Sequence, residues 1–99
     1  MANISFSSPF IRGFTHTEAT IGTSASTALA VATTPERRVS VIIQNQHASD
    51  VVTVILAASG TVGLQVKGGE SISLDNYNGI IRCSSTGTAT PVHIAYAVC

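Results

Sequence analysis

From residue 27 onward, apolar and polar positions alternate in short runs, and each run ends on a turn signal. In Arg38–Gln46 the side chains of Val39, Val41 and Ile43 fall on one face, with Ser40, Ile42 and Gln44 on the other. Val51–Ala57 repeats the pattern with Val52, Val54 and Leu56, and Ser71–Asp75 with Ile72 and Leu74. The last run, Pro91–Val98, places Val92, Ile94, Tyr96 and Val98 together. Shorter segments at Thr27–Thr33, Val62–Val66 and Ile80–Ser84 complete the series. Period-two alternation is the signature of half-buried strands. Between the runs stand Thr34-Pro35-Glu36-Arg37, His47–Asp50, Ser59-Gly60, Gly68-Gly69, Asn76–Gly79 and Ser85–Thr88. Asn78-Gly79 is the strongest of these turn signals, because both residue types tolerate positive φ.

About seven strands with such short connections leave no room for the crossover helices of a parallel sheet. The expected fold is all-β: a compact antiparallel β-sandwich or small barrel. It occupies residues 25–99. Residues 1–24 differ, carrying all three phenylalanines, Phe6, Phe10 and Phe14, with Pro9 and Gly13 between them and no sustained period. Pro9 and Gly13 argue against a helix. This segment reads as an extended N-terminal arm, and its Phe rings are the candidate partner-binding residues.

Composition strengthens the strand reading. Val and Ile supply 20 of the 99 residues against 4 Leu. β-branched side chains suit a pleated surface better than a helix. Charge changes the picture more. Only 10% of the residues are charged, and five acids balance five bases, where about 25% is usual. Net neutrality removes the repulsion that keeps copies apart. The longest apolar run, Ile94–Cys99, is far shorter than the roughly 18 residues of a membrane span, and Met1–Phe14 lacks the pattern of a secretory signal. Much of the surface is therefore expected to be covered by neighbouring subunits, with no membrane partner.

The candidate chemistry is thin. His16, His47 and His93 lie in the arm, a turn and a strand, with no spacing that would put two on one metal. Glu18 lies in the arm, and Glu36, Asp50, Glu70 and Asp75 fall at or beside turns. No serine stands in a nucleophile elbow, and Gly68-Gly69-Glu70 is a turn rather than a phosphate loop. Cys83 and Cys99 read as free thiols packed on strands in preference to a disulfide. Arg37-Arg38 is the only adjacent pair of bases, too little for nucleic acid. No enzyme, metal or cofactor is expected. Tyr77 and Tyr96 could each offer a ring to a sugar, which keeps a carbohydrate- or receptor-binding module open as the alternative.

The run Arg38–Gln46, the segment Gly68-Gly69-Glu70-Ser71-Ile72-Ser73-Leu74-Asp75 and the closing strand Val92–Val98 together resemble small all-β virion structural proteins of tailed bacteriophages. These include capsid decoration (cement) and head-associated proteins. The likeness runs from Arg37 to the C-terminus. It implies a structural protein of the virion, assembled in the host cytoplasm, whose partners are a viral capsid protein and other copies of itself in a homotrimer.

Overall fold

A computed structural model of the chain describes residues 13–32 and 37–98. These form eight strands: β1 Thr15–Ile21, β2 Ser26–Leu29, β3 Arg38–Asn45, β4 Val52–Ile55, β5 Leu64–Val66, β6 Ser71–Asp75, β7 Ile81–Ser85 and β8 Thr90–Val98. They pair into two four-stranded sheets, β1-β8-β3-β6 and β2-β7-β4-β5, antiparallel throughout. The pairing is nested: the first strand meets the last, the second the seventh, the third the sixth and the fourth the fifth. That is one long antiparallel ribbon folded over on itself, the topology of an eight-stranded jelly roll. The all-β sandwich expected from alternation is what forms.

The core lies between the two sheets. One contributes Ile21, Val41, Ile43, Val92 and Ile94, the other Val52, Val54, Val66, Ile81 and Cys83. All but Cys83 are β-branched, which accounts for the excess of Val and Ile. Stiff, short side chains interdigitate across the roughly 10 Å between packed sheets without large rotamer losses.

Strand β1 falls within the segment 1–24 that alternation set apart as an arm. Thr15–Ile21 pairs along its length with β8, from Thr15 opposite Tyr96 to Ile21 opposite Thr90, and Ile21 is buried in the core. Only Ala19 and Ile21 in this stretch are apolar, so hydropathy alone does not reveal it. Main-chain hydrogen bonding to the edge of β8 makes the strand. β2 and β5 are shorter than the runs that predicted them, and Val62 is 90% exposed ahead of β5. At β4 the expected row holds, with Val52 and Val54 buried and Leu56 packed half-buried against the core, and Ile55 of the other parity is buried as well.

Two turns depend on left-handed backbone. Gly69 has φ 80°, and the amide of Glu70 donates to the carbonyl of Lys67, so residues 67–70 make a type II turn. In the β6–β7 connection the left-handed residue is Asn76 (φ 56°), two positions before the Asn78-Gly79 pair that signalled the turn.

Buried polar groups lock one end of the sandwich. The Asn45 side-chain amide, fully buried, donates to the carbonyls of Asp50 and Val66, and its Oδ1 accepts the amide of His47. Nearby, Thr90 Oγ1 donates to Asp50 Oδ2 at 2.7 Å and lies beside Ser85 Oγ. The Asp50 carboxylate rests against Gly87, where any Cβ would collide with it.

Asn45→Ala strands two buried carbonyls and one amide, and it is expected to lower the unfolding free energy by about 1–3 kcal/mol, read from the urea midpoint. Cys83 is a free, buried thiol whose pKa burial raises from 9.0 to about 11. The folded state thus holds a proton that the unfolded chain releases earlier. The contribution is fully present below pH 9 and is lost as pH rises through about 11. Thiol labelling of Cys83 at pH 8 is accordingly expected to proceed at the rate of unfolding.

Candidate functional site

At the opposite end from Asn45, strand β3 begins with a bulge. Arg38 pairs with Val98 and Ser40 with Ala97, leaving Val39 as the extra residue. The shift has a consequence for direction, because bulges re-aim side chains. Plain alternation would send Arg38 to the outer face with Ser40 and Ile42. Opposite inward-facing Val98, it is instead carried inside and is only 3% exposed.

The β6–β7 connection closes over it. Asn78 Oδ1 accepts the Arg38 amide at 2.6 Å, and the Asn78 carbonyl accepts the amide of Ala32 at 2.9 Å. The guanidinium donates from Nη2 to the carbonyl of Gly79. Its Nε is buried with no hydrogen-bond partner among the described residues. Among the described residues no carboxylate lies within ion-pair distance of Arg38. Burial pushes its pKa below the ordinary value, while the nearby Tyr77 and Tyr96 hydroxyls act in the opposite direction. Arginine starts so high that it stays protonated. Beside it opens a groove of about 210 Å³, lined by residues 29–32, Arg38, Tyr96 and Val98.

Sequence alone paired Tyr77 with Tyr96 only as two possible sugar-facing rings. The structure brings both to Arg38. Each is half-buried, and Tyr77 donates its hydroxyl to the carbonyl of Ile80 at 2.7 Å. Phe14 is half-buried just before β1, and Phe6 and Phe10 lie outside the described residues.

The histidines also meet where spacing kept them apart. His16 of β1 and His93 of β8 sit diagonally across the strand pair, with Nδ1 of one 2.8 Å from Nε2 of the other. Glu18, Thr17 and Gln46 complete a shallow depression there. Among the described residues, no three His, Cys, Asp or Glu side chains gather as a metal site. His47 accepts the amides of Ser49 and Asp50 on Nδ1, so its proton sits on Nε2, 3.5 Å from Asp50 Oδ2. Thr90 Oγ1 donates to this carboxylate and Ser85 Oγ bonds Thr90 Oγ1, so neither hydroxyl is hydrogen-bonded to the imidazole. A relay that activates serine needs the reverse order, with the base on the hydroxyl.

No family model matches the chain, and no curated protein sequence is similar to it.

The signal for the Arg38 corner was in the sequence only as Arg37-Arg38 ahead of a valine-rich strand. Nothing in alternation marks a bulge, and the adjacent bases read only as too few for nucleic acid. A buried charge without a paired anion is costly. Arg38→Met keeps the apolar stem and removes the charge. It is expected to leave stability unchanged within about 1 kcal/mol or to raise it, measured by urea unfolding.

Proposed function

We propose that this chain is a structural protein of a bacteriophage particle, a decoration or cement protein that binds the capsid shell and further copies of itself. The observation that carries the reading is the surface around β5. Val62 is 90% and Leu64 49% exposed, next to exposed Ala57 and Ala58, in a chain with only 10% charged residues. Among the described residues, β5 is also an edge strand of three residues with one side unpaired. An apolar edge with few charges to blunt it favours association. The outer face of the β1-β8-β3-β6 sheet carries Ser40, Ser71 and Ser73 alongside Ile42, Gln44, Asp75 and His93, with Ala95 and Ala97 buried. Jelly rolls serve in capsids and in lectins alike, so the fold supports the reading only by analogy. The virion assignment itself rests on the resemblance of Arg38–Gln46, residues 68–75 and Val92–Val98.

Carbohydrate or receptor binding is the second reading, favoured by the convergence of Tyr77 and Tyr96 on one groove-lining arginine.

Light scattering of the purified chain tests the assembly reading. A closed oligomer, a trimer for a cement protein, is expected for the wild type. Val62→Asp with Leu64→Asp is expected to give monomers, with stability changed by no more than about 0.5 kcal/mol because both positions are exposed. A wild type that stays monomeric at high concentration would count against the proposal. Attachment is read by co-sedimentation with capsid shells. Removing residues 1–12 leaves all of β1 in the chain, and it is expected to weaken attachment without unfolding the sandwich.

A further inference from the structure

A guanidinium carries five N–H donors and a permanent charge. Among the described residues, one donor bond of Arg38 goes to the Gly79 carbonyl, and Nε is enclosed with nothing to accept from it. The side chain is 3% exposed, so water does not supply the missing acceptors freely. Buried polar atoms are nearly always satisfied, and a native exception calls for an explanation. A buried cation calls for one more strongly, since desolvation is offset only by a paired anion or a full set of hydrogen bonds. The bulge at Val39 places that cation inside when plain alternation would have left it in solvent.

We propose that the groove beside Arg38 is a carboxylate-binding site. The planar fork of an arginine matches the two oxygens of a carboxylate. One positive group lines the groove, which suits one negative charge better than a phosphate dianion. The other walls are apolar or aromatic: Leu29, Val31, Val98 and the ring of Tyr96. They would hold the carbon atoms next to the acid. The volume, about 210 Å³, is below the ~300 Å³ at which pockets begin to enclose a whole drug-sized molecule. The groove therefore takes the acidic end of something larger. Two sources share this chemistry, a sugar acid and an acidic side chain of a partner chain.

The test is a titration of the ¹⁵N-labelled full chain, followed by NMR at the Arg38 Nε–H and the amides of residues 30–32 and Val98. Acetate is expected to shift these signals saturably, and chloride at equal ionic strength is expected not to. Arg38→Met, which keeps the fold, is expected to abolish the response at the amides. Glucuronate binding about tenfold tighter than acetate, with glucose silent, assigns the site to a sugar acid. The same gain with N-acetyl-glutamate α-amide assigns it to a partner's side chain. Equal binding of all three still supports a carboxylate site. No saturable shift, an equal response to chloride, or a response that survives Arg38→Met overturns the proposal. So does a response that appears only in Glu36→Gln, because the chain's own Glu36 would then be the occupant. The inference is independent of the assembly reading. Running the titration on Val62→Asp/Leu64→Asp as well separates the failure of one from the failure of the other.

Discussion

Strand β8 is hydrogen-bonded along both edges, to β1 from Thr90 to Tyr96 and to β3 from Val92 to Val98. It is the last strand in the chain, so these pairings join segments some 50 to 80 residues apart in sequence. Each notable feature of its sheet depends on this placement. Val92 and Ile94 fill the core, Thr90 meets Asp50, His93 meets His16, and Val98 stands opposite Arg38. Non-local pairing of this kind must close long loops before any contact compensates for the lost entropy, which makes folding slow. The core, Val and Ile apart from Cys83, is what makes the closed state worth reaching.

The same economy leaves a surface with little protection. A chain of this length buries only about 60–65% of its unfolded surface, and here little charge covers the remainder. Val62 and Leu64 beside an edge strand are where that shows most plainly. Under the assembly proposal, the surface that would be a liability in a lone domain becomes the contact with its neighbours.

Arg38 presents the opposite case, a charge placed where no carboxylate among the described residues lies within ion-pair distance. One extra residue, Val39, turns the side chain through the sheet from solvent to interior. One hydrogen bond, to the Gly79 carbonyl of the β6–β7 connection, satisfies part of the guanidinium, and the side chain lines a groove. Tyr77 and Tyr96 matter here less as separate rings than as neighbours of that cation. Their half-burial comes from closing this end of the sandwich.

Alternation, turn residues and β-branched composition were sufficient to read the fold class and most strand positions. Burial on a two-faced sheet imposes a period of two wherever one face meets the core. Ile43, Val54 and Ile94 were legible for that reason. Strand β1 was not, because its order comes from main-chain pairing with β8, to which hydropathy is blind. The nested strand order, the meeting of His16 with His93 and the bulge that buries Arg38 were likewise decided by tertiary structure. Each depends on which distant segment lies alongside and in what register. Register is a property of two strands together, and no local run of residues contains it.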